Sequence, residues 1–174
     1  MALRFLTAGE SHGKGLVIIV EGLPKGLDID IEFVKSELKR RQGGHGRGHR
    51  MQIESDTPEF LSGVRFGKTL GSPIAVIIQN KDFSNWQEVM APFGEPTTKK
   101  SLTCPRPGHA DLSGGLKYDT HDLRDILERA SARETASRVV AGALSKLFLK
   151  ALGVRVLSHI LAIGGIMAPK KQTL

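Results

Sequence analysis

Arg4-Phe5-Leu6-Thr7-Ala8-Gly9-Glu10-Ser11-His12-Gly13-Lys14-Gly15-Leu16-Val17-Ile18-Ile19-Val20 stands almost at the start of the chain. The apolar runs 4–7 and 16–20 read as strands around a polar loop. That loop packs together an acid, a hydroxyl, an imidazole and two glycines that let backbone approach a ligand closely. Such a segment adds nothing to a core, so it reads as part of a site. It also matches the G-x-S-x-G nucleophile elbow of serine hydrolases, with Ser11 as nucleophile. The elbow needs a helix after its serine, whereas a strand-like run follows here. A phosphate-binding P-loop fails too, because the spacing is one residue short and Gly15 stands where Ser or Thr is needed. The bland alternative is a turn in which Ser11 and His12 bond local backbone.

Working outward, Asp30 reads as an N-cap, Ile31, Val34 and Leu38 recur at helical spacing, and Gly43 is a C-terminal stop. Residues 51–55, 60–66 and 74–79 read as strands, with Gly and Pro between them. Residues 81–103 are mixed, a loop-rich stretch around one short helix. Pro105-Arg106-Pro107-Gly108-His109-Ala110-Asp111 is a stiff turn, since each proline restricts the residue before it. Residues 122–152 are helical, with a break at Ser131, where Ser131-Ala132-Arg133-Glu134 is a capping-box pattern. Residues 154–160 alternate like a strand, and Gly164-Gly165 follows. Strands and helices mix without a strand–helix rhythm, which predicts an α+β fold rather than a doubly wound sheet. A single domain is expected over 1–165, then a polar, mobile tail over 166–174.

The chain has 174 residues, enough for one domain with a real core. Aromatics make up only 5%, so that core must be mainly aliphatic. Cys104 is the only cysteine, which excludes an intrachain disulfide and a cysteine-only zinc site, and no cluster has zinc spacing. No G-x-G-x-x-G follows a strand, so a Rossmann cofactor site has no support. No apolar run approaches the roughly 20 residues of a membrane span, and the N-terminus has no signal-like apolar region. A cytoplasmic protein with no membrane partner is expected.

Charge is unevenly spread. The net charge is +7, and residues 38–53 contain no acid but carry Lys39, Arg40, Arg41, Arg47 and Arg50, with His45 and His49. Lys39 to Arg41 complement a helix dipole, which leaves Arg47 and Arg50 unexplained. Glycines alternating with arginines let guanidinium forks and bare N–H groups converge on phosphate or carboxylate. The same loop faintly resembles an RG-rich segment, so a basic nucleic-acid-binding module is the competing class. No aromatic lies between Lys39 and Met51 to stack a base. Arg106 and His109 sit in the proline-stiffened turn, a good place for a general acid. Arg129, Ser131 and Arg133 surround the new helix start and form a candidate anion site.

Taken together, the segments resemble the chorismate synthase family. The resemblance runs through Gly9 to Gly13, Glu21-Gly22-Leu23-Pro24, Arg40-Arg41-Gln42-Gly43-Gly44 and Gly46-Arg47-Gly48. It continues through Ser62-Gly63-Val64, Pro105 to Asp111, and Glu128-Arg129-Ala130-Ser131-Ala132-Arg133-Glu134-Thr135, in order and spacing. The resemblance implies a β-α-β sandwich and a homotetramer. It implies a lyase of the shikimate pathway of aromatic amino-acid biosynthesis, a flavoprotein that eliminates phosphate and a ring proton in trans from 5-enolpyruvylshikimate 3-phosphate to give chorismate. Reduced FMN is the implied cofactor, with NADPH as a source of reducing power in some members. By the same resemblance His12 and His109 are catalytic, His12 protonating the leaving phosphate and His109 serving the reduced flavin. Ser11, Arg41, Arg47, Arg50, Arg106, Ser131 and Arg133 are expected to bind substrate. Arg41, Arg47, His109, Arg129, Ala130 and Ser131 are expected to bind cofactors, Arg41 and Arg47 through nicotinamide. Family members are about twice as long, so the resemblance also implies an N-terminal half that is inactive alone.

Overall fold

The computed structural model describes residues 2–43 and 53–169. In chain order the main elements are β1 (Arg4–Ala8), β2 (Gly15–Glu21), α1 (Ile31–Gln42), β3 (Pro58–Phe60), β4 (Val64–Arg65), β5 (Lys68–Thr69) and β6 (Ile74–Gln79). A 3₁₀ turn (Lys81–Asn85) precedes α2 (Asp111–Tyr118) and α3 (Arg124–Ala130). A second 3₁₀ turn (Ala132–Glu134) leads into α4 (Thr135–Ala151), and β7 (Ala162–Ile163) and β8 (Ile166–Met167) follow.

The main sheet has the order β1-β2-β6-β3, and every pairing in it is antiparallel. Alternation along β2 and β6 decides which face is covered. Leu16, Ile18 and Val20 of β2 and Ile74, Val76 and Ile78 of β6 are buried, and the register sets Ile18 opposite Val76. Branched side chains with period two suit such a half-buried pleat. Their cover is α1, through Val34 and Leu38, and α4, through Val140, Leu144 and Leu147. Small Ala136 and Ala143 on α4 belong to the same core. The core is wholly aliphatic, and helices lie on one face of an antiparallel sheet, an α+β arrangement. On the other face Leu6 and Ile19, paired across β1 and β2, remain exposed.

Helix ends follow local chemistry. Asp30 caps α1 by accepting from Phe33 N–H at 3.0 Å, and Gly43 N–H closes the other end on Lys39 O. Ser131, in extended conformation, breaks the long helical stretch, and its Oγ accepts from Arg133 N–H. The capping box is realised only on that side. Glu134 turns instead to Thr7 Oγ1, at 2.7 Å, and to Arg138.

Helix α2 has no counterpart in the periodicity, because Gly114 and Gly115 lower its propensity. Packing explains both glycines. A Cβ on Gly114 would lie 2.4 Å from Ile126 Cγ2, and one on Gly115 would lie 2.6 Å from Leu123 Cδ2. The two helices α2 and α3 can therefore cross closely.

Three strand expectations change. The run 60–66 divides into β3 and β4, since Gly63 turns the chain with φ 78° and its missing Cβ makes room for Pro73 O. Of 51–55, residues 51–52 lie outside the described residues and 54–55 form no strand. Residues 154–160 form no strand either. Alternation only permits a strand, whose backbone needs a neighbouring edge to bond. The expected boundary after 165 cuts the β7–β8 hairpin at its Gly164-Gly165 turn, and residues 170–174 lie outside the described residues. The described residues include no helix long and apolar enough to cross a membrane.

Candidate active site

The loop between β1 and β2 is held in a single shape. Gly9 has φ +104°, and a Cβ there would fall 2.3 Å from Gly15 O, so the loop closes on itself only with glycine. Asn80, buried at the end of β6, donates to Glu10 O and Gly13 O from Nδ2. Ser11 N–H donates to Glu128 O at 3.0 Å, and Ser11 Oγ bonds Ser131 Oγ. Ser11 is 2% exposed and precedes a strand, so it is not the presented nucleophile of a hydrolase elbow.

His12 emerges from this loop onto α3. Its Nδ1 lies 2.8 Å and 2.9 Å from the two carboxylate oxygens of Glu128, and its N–H donates to Glu128 Oε2 at 2.7 Å. Arg124, one turn earlier on α3, donates to Glu128 Oε1. Burial works against charge on Glu128, but the hydrogen bonds from His12 and then Arg124 outweigh it and hold the carboxyl below its ordinary range. The imidazole stacks on Trp86, with ring centroids 3.8 Å apart. With Nδ1 turned to Glu128, proton exchange with a ligand falls to Nε2.

His109 has a parallel arrangement at the start of α2. Its Nδ1 bonds the fully buried carboxylate of Asp111. Arg106 also binds Asp111, from its backbone N–H at 3.0 Å and from Nε at 2.9 Å. The Arg106 side chain is the main reason that the Asp111 carboxyl drops to about 2, against the opposing effect of burial. The Arg106 guanidinium, expected to meet substrate, is engaged by this carboxylate while its side chain stays 44% exposed.

Two other arginines are turned inward. Arg133 is buried, with Nε on Asn80 Oδ1, Nη1 on Asp56 and Nη2 3.6 Å from Glu54. Arg41 sends Nε to Thr135 Oγ1 and Nη2 to Ala132 O, and Nη1 lies 3.4 Å from Asp56. Both tie the 54–56 segment to the start of α4, so the guanidinium groups expected to bind substrate, and for Arg41 nicotinamide as well, are engaged by protein groups in this structure. Arg47 and Arg50, with the rest of their loop, lie outside the described residues.

Between α2 and α3 runs a cleft of about 650 Å³, lined by Ala110, Gly114, Lys117, Ile126, Arg129 and Ala130 among others. Arg129 bridges from the cleft to the His12 loop, donating to Gly9 O and to Thr7 O and Oγ1. The cleft therefore touches Arg129 and Ala130 on one side and Ala110, next to His109, on the other. Ser131 sits beneath, bonded to Ser11.

A family model described as chorismate synthase matches residues 3–174. The chain belongs to the chorismate synthase family. It is 62% identical over 163 residues to the chorismate synthase of Aquifex aeolicus, covering 93% of this chain and 41% of that protein. It is 55% identical over 171 residues to the chorismate synthase of Geobacillus thermodenitrificans, covering 97% and 44%. A solved crystal structure of a chorismate synthase superposes with TM-score 0.65 at 50% identity, over 88% of this chain and 36% of that one. The chain thus spans about two-fifths of the length of these relatives. Membership of the chorismate synthase family displaces the nucleic-acid reading, which rested on the basic 39–50 stretch alone.

Sequence reading did not single out Glu128, Arg124, Trp86, Asn80 or Asp56 as site residues. Glu128 and Asp111 were visible inside the family's motifs, but a partnership across 116 residues, as between His12 and Glu128, leaves no local trace.

Proposed function

We propose that this chain forms the proton-transfer face of a chorismate synthase, eliminating phosphate and a ring proton from 5-enolpyruvylshikimate 3-phosphate with reduced FMN. One observation carries the reading. Two histidines on separate turns each point Nδ1 at a fully buried carboxylate, so that both present Nε2 in a defined direction. His12 donates through Nε2 to the departing phosphate oxygen, while Glu128 stabilises the ring in its charged form. Arg124 beside it adds positive charge where the phosphate gathers negative charge. His109, at the lip of the cleft, holds a proton toward whatever ring lies there.

The cleft suits FMN in volume, within the 300–1,000 Å³ range usual for small-molecule sites. Arg129 and Lys117 supply cationic groups for a phosphate, and Ile126, Ala130 and Gly114 a flat apolar wall. Reduced FMN held there would supply electron density to ease carbon–oxygen cleavage. Arg133 and Arg41 act here as scaffold, keeping the Ser11–Ser131 contact and the α4 start in place. A cytoplasmic homotetramer, with NADPH as a source of reduced flavin, completes the proposal.

The test is anaerobic turnover of 5-enolpyruvylshikimate 3-phosphate with chemically reduced FMN, in a full-length enzyme carrying these residues and in the 174-residue chain alone. Full-length enzyme is expected to form chorismate. The chain alone is expected to form almost none, because its cleft is open and Leu112, Leu116 and Tyr118 on α2 stay exposed beside it. A full-length enzyme that makes no chorismate overturns the assignment.

A further inference from the structure

Trp86 ends the first 3₁₀ turn, and three contacts fix it there. Its N–H bonds Phe83 O, its indole Nε1 donates to Asp82 Oδ2 at 3.1 Å, and its carbonyl accepts from Met90 N–H. The ring stacks on His12 with an interplanar angle of 22°. The Lys100 ammonium lies 3.5 Å from the centroid of the same indole, and the Arg124 guanidinium 5.4 Å. Lys100 reaches that place from a left-handed backbone, φ 60°, a conformation a lysine adopts only when its surroundings hold it there. Arg124 Nε supplies such a hold, donating to Lys100 O at 2.8 Å.

We propose that Trp86, braced by Lys100, is a positioning residue for His12: it sets the plane of the imidazole so that Nδ1 meets Glu128 and Nε2 faces the ligand. Glu128 alone fixes one atom of the ring and leaves rotation about that hydrogen bond. The indole face removes the rotation, and the cation–π contact with Lys100 holds the indole. Among the described residues, the groups facing His12 include Glu128 and Arg124 from α3, Lys100 from the segment before α2, and Asp82 through the indole. The catalytic consequence rests on the proposed role of His12, whereas the stack itself can be tested without turnover.

Trp86 is the only tryptophan in the sequence, so the emission of the chain reads this stack alone. Emission of the 174-residue chain is expected to change in His12→Gln, which removes the ring stacked on the indole. Positioning is read from nitrogen-15 shifts of labelled histidine at alkaline pH. The ratio of Nδ1–H to Nε2–H tautomer of His12 is expected to fall about tenfold in Trp86→Leu, a bias of about 1.4 kcal/mol, and to hold in Trp86→Phe. Should Trp86→Leu fail to fold, Lys100→Met, which removes only the ammonium, is expected to lower the ratio about threefold. Emission unchanged by His12→Gln, or a tautomer ratio indifferent to Trp86→Leu and Lys100→Met, overturns the proposal. In full-length enzyme Trp86→Leu should lower kcat with little change in KM, and Trp86→Phe should restore it. A tautomer ratio that moves while kcat does not would keep the stack and discard the lyase role of His12.

Discussion

His12 and His109 are anchored alike and built differently. Each turns Nδ1 to a carboxylate with no exposed surface. His109 finds its partner two residues away, in the rigid turn that also holds Arg106. His12 finds Glu128 across 116 residues, through a loop closed by Gly9 and Asn80 and a ring stacked on Trp86. The local site needs only a stiff turn. The distant one needs the sheet, α3 and the first 3₁₀ turn to be assembled first. A geometry built from local contacts should survive damage elsewhere that dissolves the other.

The largest effect expected is on rate. His12→Ala and His109→Ala in full-length enzyme should each slow turnover by about 10²–10⁴, the usual weight of a positioned acid or base, measured as anaerobic chorismate formation. Near-normal turnover in one of them would break the symmetry between the two sites.

Next comes stability, which separates scaffold from site. Arg133→Ala strands Asp56 and Glu54 in the interior and should cost about 3–5 kcal/mol in urea unfolding. The His12 stack should be lost with it, since Arg133 and the His12 loop share Asn80, while the His109 turn persists. An Arg133→Ala chain of normal stability that binds substrate poorly would return Arg133 to the role of clamp.

A smaller effect is expected at the bridge between the sites. Arg129 is 42% exposed and bonds Gly9 and Thr7, so Arg129→Ala should lower melting modestly and weaken FMN binding about tenfold, the loss of one charge-assisted contact, read by flavin fluorescence. Unchanged affinity would move the cofactor out of the α2–α3 cleft.

The smallest effect should appear in acid, and it sharpens the comparison by pH. The Asp111 carboxyl is lowered from 3.8 to about 2, so the folded state holds its proton less tightly than the unfolded one. Its stabilisation is complete above the ordinary value and is lost as pH falls through about 2. Glu128 is lowered in the same direction, so it too loses its contribution as pH falls. Asp111→Asn should flatten the acid limb of the stability curve; an unchanged limb would show that the Arg106 and His109 contacts are not carrying it.

Much of this was legible along the chain. The short apolar runs 16–20 and 74–79, rich in branched residues, announced the two central strands, because such a run is visible within one element. Asp30 and Ser131 announced helix starts through their own side chains. Helix α2 stayed hidden, since its glycines answer to Ile126 and Leu123 on a neighbouring helix rather than to its own propensity. Arg106 and Arg133 were expected to bind substrate. Arg133 turns inward because Asp56 and Glu54 lie within reach only after folding, whereas Arg106 meets Asp111 within its own turn.

The sequence by itself determined the kinds of element, the caps, the aliphatic core and the family, all of which are written in residue types at fixed local spacing. Tertiary structure decided which nitrogen of each histidine is held, which arginines are buried as scaffold, and where a cleft opens. Apart from the His109 turn, those depend on distances between residues about 50 to 120 positions apart, as from Arg133 to Asn80 or Ser11 to Ser131. No local pattern encodes them, because a charge or hydrogen bond acts through space, and space between distant residues exists only once the sheet and helices have packed.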